Sequence, residues 1–111
     1  MTEPTPITTD AELASRRWLA AVEASGEYST IPPRILRALA GWIFWGREPG
    51  SFLFAVLRNS LCEAVFYADA ASRASMFELV FLIYNHAPSG CWRTQDRIAS
   101  WEGEPNWNFN R

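Results

Sequence analysis

The sequence has no lysine, and all ten of its basic residues are arginine. A Schiff-base enzyme needs a lysine amine, and a P-loop needs a lysine for its phosphate, so both classes are excluded. A glycine-rich phosphate cradle is also absent from the sequence. A GC-rich genome explains the arginine bias, and the alternative is that arginine is favoured for flat, bidentate contacts.

Residues that ligate metals or act as nucleophiles are few: Cys62, Cys91 and a single histidine, His86. A zinc site needs three or four such ligands at suitable spacing, so neither a metal nor another cofactor is expected. His86 and Cys91 could meet across a proline turn as a base and a nucleophile, but nothing else in the sequence supports this pair. The first ten residues show no secretory signal, which predicts a cytoplasmic location with free thiols.

Carboxylate pairs for acid–base chemistry are no better supported. Glu63 and Glu78 each follow a serine, Ser60 or Ser75, by three residues, which is the spacing of a helix capping box. Asp69 fits a helix start in the same way. Since each carboxylate has a structural role, the sequence predicts that the chain is not an enzyme.

Long hydrophobic runs and strong charge are missing as well. The apolar stretch 76–84 is interrupted by Glu78 and is far shorter than the roughly 20 residues that span a bilayer, so no membrane segment is expected. The net charge of −2 is too small for broad attraction to nucleic acid. Only the middle third is basic, with Arg34, Arg37, Arg47 and Arg58 against Glu48.

What the sequence does contain is a series of apolar residues at helical spacing between proline and glycine breaks. Its 111 residues suit one domain. The pattern predicts an all-α fold, a compact bundle of five to six short helices around a buried central helix at about 70–86. Residues 1–9 are expected to form a flexible tail and 10–102 a single helical domain. The C-terminal tail, 103–111, either packs on the domain through its aromatic residues or stays free.

Capping residues and helix breakers set the expected boundaries. The start of the central helix is open, because either Asp69 or Ser75 can cap it. The body of that helix, 76–84, is apolar on nearly all sides and resembles a buried strand in composition, but its helical flanks favour a helix. The other predicted helices run over about Asp10–Ser25, Pro33–Gly46, Ser51–Arg58 and Leu61–Ala68, with a last one from Thr94 to about Glu102.

A series of short motifs covers about residues 31–101. In order, these are Ile-Pro-Pro at 31–33, Pro-Gly-Ser-Phe-Leu at 49–53, Ala-Val-Leu-Arg-Asn at 55–59, Glu-Ala at 63–64, Ala-Asp at 68–69, Ile-Tyr-Asn at 83–85, Ala-Pro at 87–88 and Cys-Trp at 91–92. Together they resemble a family of small bacteriophage and prophage proteins that has no assigned activity. The resemblance therefore carries over no functional residue.

This chain departs from the family at several positions. The family usually has an acidic residue where this chain has Ser60, and Gly-Ser where it has Arg93 and Thr94. It is usually polar where this chain has Phe44 and Trp45. What the resemblance implies is a protein of a mobile element, and small proteins of such elements often bind and block a host protein, including defence proteins.

Aromatic residues are plentiful, with six Trp, seven Phe and three Tyr. Phe44 and Trp45 lie on the helix-two face that also carries Arg34 and Arg37, and exposed aromatics beside arginine are typical of binding hot spots. The alternatives are that helix one, the C-terminal tail or another subunit of a homo-oligomer covers this face. Five other aromatic residues lie at core-facing spacing: Trp18, Trp42, Phe52, Phe81 and Trp101.

The function expected from these observations is that of a non-enzymatic protein-interaction module, in its sharper form an inhibitor of a host or anti-phage defence protein. Its interface would be Arg34, Arg37, Phe44 and Trp45. The alternative is a nucleotide or nucleic-acid binder, in which arginine holds phosphate and tryptophan stacks on a base. The negative net charge makes this alternative the weaker one. A homo-oligomer is compatible with either function.

Overall fold

A computed structural model describes residues 9–110, and every regular element in that range is helical. The all-α prediction is confirmed, with one more α-helix than the five to six expected. The elements are α1 (Asp10–Ser25), α2 (Pro33–Trp45), α3 (Ser51–Leu57), α4 (Leu61–Tyr67), α5 (Ala70–Ala74), α6 (Met76–His86), a 3₁₀ turn (Ser89–Cys91) and α7 (Gln95–Ser100).

The helix boundaries follow from caps that the sequence supplies. The Thr9 hydroxyl accepts a hydrogen bond from the Glu12 amide at 3.2 Å, and the Thr94 hydroxyl does the same for Arg97 at 3.2 Å. Gly26 ends α1 in the left-handed conformation, at a φ of 68°, as is usual after a helix. Ser60 and Ser75 precede α4 and α6 but make no side-chain cap, so the predicted capping boxes with Glu63 and Glu78 are wrong.

The predicted helix at 70–86 is divided in two at Ser75, whose hydroxyl donates back to the Ala71 carbonyl at 3.0 Å and does not cap α6. The Asp69 carboxylate accepts a hydrogen bond from the Ser72 amide at 2.8 Å and begins α5. Hydrogen bonds from Ser72 hold the pKa of Asp69 below its usual range, and Arg34 adds to this effect. Ser75 stands between α5 and α6 at a φ of −104° and ψ of 3°, outside helical geometry.

The core lies between α1, α2, α3 and the inner face of α6. Burial of apolar surface, at about 25 cal/mol per Å², is the main favourable contribution to folding here. Its fully buried members include Trp18 and Val22 of α1, Leu39, Ile43 and Phe44 of α2, Leu57 of α3, and Leu79, Leu82 and Ile83 of α6.

Indole N–H groups link distant parts of this core. Trp18 donates to the carbonyl of His86 at 2.9 Å, and Trp42 donates to the carbonyl of Cys91 at 2.9 Å. Trp101 donates to the carbonyl of Trp42 at 2.7 Å. A buried indole needs such a partner. The predicted inward orientation of these three tryptophans is confirmed, with Trp101 only half-buried.

The helix-two face predicted as an interface is covered by the chain that follows α7. Phe44 is 1% exposed and packs edge-on against Trp18, with ring centroids 6.3 Å apart. Gly103 approaches α2 so closely that a Cβ there would lie 2.7 Å from the Phe44 carbonyl oxygen. The Glu104 amide donates to the Ile43 carbonyl at 2.8 Å. Of the alternatives that the sequence left open for Phe44, cover by helix one and the C-terminal segment is the one observed, and Phe44 is not an exposed interface residue.

The prediction of a fully buried central helix is wrong for one face of α6. Leu79, Leu82 and Ile83 are buried, whereas Phe81, expected in the core, is 52% exposed. The physical reason is that the described chain packs helices against only one side of α6, and composition does not reveal which side has a neighbour.

The C-terminal segment 103–110 packs on the domain at the end of α6. The Trp107 indole donates to the His86 carbonyl at 2.8 Å, and the Phe109 ring stacks on the His86 ring with centroids 3.7 Å apart. His86 Nδ1 lies 2.8 Å from the Phe109 carbonyl oxygen. Because a carbonyl can only accept, Nδ1 carries the hydrogen. The predicted flexible tail falls outside the described residues except for Thr9.

No helix in the described range is both long enough and apolar enough to cross a membrane.

Candidate functional site

The outer face of α6 carries four large apolar side chains, each of which is about half exposed or more. Phe77 is 75% exposed, Val80 46%, Phe81 52% and Tyr84 64%. Their spacing of i, i+3, i+4 and i+7 places them on one face of the helix. The Phe77 and Phe81 rings stack with centroids 6.0 Å apart. We call these four residues the α6 apolar face.

Neighbouring elements extend this face on two sides. Leu61 of α4, which is 70% exposed, lines a shallow groove between α4 and α6 together with Val80. Trp92, in the segment after the 3₁₀ turn, packs edge-on against Tyr84 with ring centroids 5.9 Å apart. Exposed apolar residues on a soluble domain are common singly, but a contiguous group is a mark of an interaction site.

One end of the α6 apolar face is acidic. Glu27, Tyr28, Phe77, Glu78 and Phe81 line an open cleft of about 310 Å³, which we call the acidic notch. Neither Glu27 nor Glu78 forms an ion pair with another residue of the range 9–110. Burial and the nearby Glu27 raise the pKa of Tyr28, so its phenol stays neutral. Carboxylates beside aromatic rings attract a cation both by charge and through the ring faces.

The other end of the face is basic. The Arg93 guanidinium lies 4.7 Å from the centroid of the Trp92 ring and 6.0 Å from that of Tyr84. The Arg93 amide donates to the Leu57 carbonyl at 2.8 Å, which anchors this segment to α3. Since Tyr84 follows Phe77 by two helical turns, the acidic and basic ends are separated by about 10 Å along the helix axis.

The structure does not bring the four predicted interface residues together on one exposed surface. Trp45 is half-buried, with the Arg47 guanidinium 4.5 Å from its ring centroid. Arg34 pairs with Asp69, Nη2 to Oδ2, at 2.6 Å. Arg37 lies at the rim of a separate cleft of about 540 Å³ between α1 and α2. Phe44 is buried, so the four residues do not form one continuous exposed surface.

The candidate reactive groups have structural contacts. Burial raises the pKa of the Cys91 thiol to about 12, so it is protonated at neutral pH and is a poor nucleophile. His86 uses Nδ1 to hold the C-terminal segment. Glu63 pairs with Arg58, and Asp69 caps α5. No group of three or more His, Cys, Asp or Glu side chains in the part of the chain that the structure describes is placed to hold a metal ion.

Sequence reasoning missed the residues of the exposed site: Phe77, Val80, Tyr84, Glu27, Glu78 and Arg93. One signal was present, because α6 has two apolar stripes. Leu79, Leu82 and Ile83 already supply one face, and a second stripe needs a second partner. In a domain of this size, few helices remain to supply it.

Comparison with protein-family models, with curated proteins and with solved structures finds no match to this chain. Its function is therefore inferred from its own surface.

Proposed function

We propose that this protein is a non-enzymatic protein-interaction module and that the α6 apolar face is its binding surface. The exposure of Phe77, Phe81 and Tyr84 along one helix face is the observation that carries this proposal. Aromatic side chains are enriched at protein interfaces and dominate the binding energy there. Leaving three of them in water is unfavourable unless a partner covers them.

The size of the surface supports the same conclusion. If an intact aromatic side chain exposes about 200 Å², the exposed fractions of Phe77, Phe81 and Tyr84 present roughly 400 Å² of aromatic surface. A standard interface buries about 800 Å² on each partner, of which a little over half is apolar. The three rings, with Val80 and Leu61 beside them, therefore supply the apolar part of one such interface.

The nucleic-acid alternative loses support from the position of the arginines. Of the four in the basic middle third, Arg34 pairs with Asp69 and Arg58 pairs with Glu63. Arg47 lies over the ring of Trp45, and Arg37 is exposed without an ion pair in the range 9–110. A phosphate-binding surface needs several unpaired cations together, and the α6 apolar face itself carries none.

The resemblance to phage and prophage proteins gives the proposal its biological setting. Arg93 has a φ of 92°, a conformation that favours glycine, and the family pattern has glycine at this position. This agreement is consistent with the resemblance, from which we infer a protein of a mobile element; its action in the cytoplasm of a bacterial host is a prediction from the same resemblance. Inhibition of a host or anti-phage defence protein remains a prediction within that setting.

Site-specific photo-crosslinking tests the binding surface. A benzophenone amino acid replaces Tyr84 in the full chain, which is expressed and irradiated in bacterial cells. We expect a covalent adduct with a protein, and we expect the double substitution Phe77→Ser and Phe81→Ser to reduce its yield about tenfold or more. Both replaced side chains are exposed, so the fold should survive, and circular dichroism checks this.

Leu13 provides the matched control, because it is 40% exposed on α1 and lies outside the surface. The same photoreactive residue at position 13 should give no specific adduct. Equal yields at positions 13 and 84, or no adduct from position 84, would contradict the proposal.

A further inference from the structure

We infer that the occupant of the α6 apolar face is a second copy of this chain, bound with the two α6 helices antiparallel about a two-fold axis. This inference rests on the proposed function, since it names the partner of the same surface. A two-fold interface brings the same patch of both copies together, so the patch must be complementary to itself.

The charge distribution along the face meets this condition in one orientation only. Glu27 and Glu78 stand at the Phe77 end, and Arg93 stands at the Tyr84 end. Antiparallel pairing places the acidic end of each copy against the basic end of the other. Parallel pairing would place like charges together, which is unfavourable.

The centre of the face is free of charge, so nothing opposes contact there. None of Phe77, Val80, Phe81 and Tyr84 is an acidic or basic side chain, and they lie between the two charged ends. The apolar area on one copy matches the apolar part of a standard interface. Because the same area is presented by the second copy, the two faces bury each other without a third component.

The acidic notch fits the side chain that the second copy would bring to it. Arginine is planar, remains charged and stacks on aromatic rings. In the notch it would meet the rings of Phe77 and Phe81 together with the carboxylates of Glu27 and Glu78. Within residues 9–110 the Arg93 guanidinium has no acidic partner, and its contacts are the rings of Trp92 and Tyr84.

Sedimentation of charge-swap variants tests this pairing between the acidic and basic ends of two copies. The wild-type chain should sediment at micromolar concentration with twice the 12.6 kDa mass of one chain. The variant Arg93→Glu and the double variant Glu27→Arg with Glu78→Arg should each self-associate about tenfold or more weakly, because like charges then face each other. An equimolar mixture of the two variants should regain the dimer, since both ends of the mixed pair are complementary.

Arg16→Glu on α1 is the matched charge reversal outside the face and should leave the dimer unchanged. A wild-type chain that stays monomeric at 100 µM would overturn the inference, and so would a mixture that fails to regain the dimer. Failure of this kind is distinguishable from failure of the proposed function. A monomer that still gives the crosslink at position 84 to a different protein keeps the binding surface and refutes only the second copy.

Discussion

At the scale of single residues, the two cysteines differ sharply in their surroundings. Cys62 is exposed on α4, whereas Cys91 is buried and its thiol pKa is raised to about 12. In the unfolded chain this thiol ionises near its ordinary value of 9.0. The difference between these two pKa values therefore costs the native state nothing below pH 9.0. As the pH rises from 9.0 toward about 12, the unfolded chain ionises first and the native state loses stability.

We expect a thiol reagent at pH 8 to modify one cysteine per native chain and two after denaturation. The reason is that reaction requires an accessible thiolate, which Cys91 lacks. The variant Cys62→Ser should leave no reactive thiol in the native protein. Rapid modification of native Cys62→Ser protein would contradict the buried position of Cys91.

The indole of Trp42 gives a second prediction at this scale. Replacing Trp42 by Phe removes the donor to the Cys91 carbonyl and leaves that buried oxygen unpaired. The free energy of unfolding should fall by about 1–3 kcal/mol, measured by urea denaturation. Trp45→Phe is the control, since the Trp45 indole makes no hydrogen bond within the described chain, and it should lose less than about 1 kcal/mol. Equal losses would mean that the Trp42 bond contributes nothing.

At the scale of elements, the contact between α2 and the segment after α7 depends on a glycine. Gly103 has a φ of 98°, and a Cβ there would lie 2.7 Å from the Phe44 oxygen. Gly103→Ala should therefore lower the free energy of unfolding by about 2–4 kcal/mol, from backbone strain together with forced separation of the two segments. Gly26→Ala is the matched control, because Gly26 has a φ of 68° but no atom within 4 Å of the added Cβ.

The Gly26→Ala control separates the cost of backbone strain from the cost of a steric contact with the added Cβ. Gly26→Ala should lose only about 1 kcal/mol. If both glycine variants are destabilised equally in thermal unfolding, the segment after α7 does not pack against α2 as described.

The same scale shows what sequence can predict. Caps and breakers are local, so α1 begins and ends at the predicted Asp10 and Ser25, and α2, α3 and α4 end within a residue of expectation. For Phe44 the sequence offered both exposure and cover by helix one or the C-terminal tail, and it could not decide between them because the covering segment lies about 60 residues later. Likewise, the apolar composition of α6 indicates that burial of both faces would be favourable. It does not indicate whether a neighbouring element covers each face.

At the scale of the whole molecule, α4 and α6 both leave large apolar side chains in water. A domain of about 100 residues leaves a third or more of its unfolded surface in water. Here part of that exposed surface is aromatic and lies on one side of α6, between an acidic and a basic end. Two copies of such a surface are complementary to each other when their α6 helices are antiparallel. The proposed dimer therefore uses the same surface as the proposed function.

The most direct test of the central claim is the photo-crosslink from position 84, compared with that from position 13. If the α6 apolar face binds a protein, position 84 gives a discrete adduct that the Phe77→Ser and Phe81→Ser substitutions remove, and position 13 gives none. If position 84 remains uncrosslinked in the folded chain, or gives no more adduct than position 13, the face is not a binding surface.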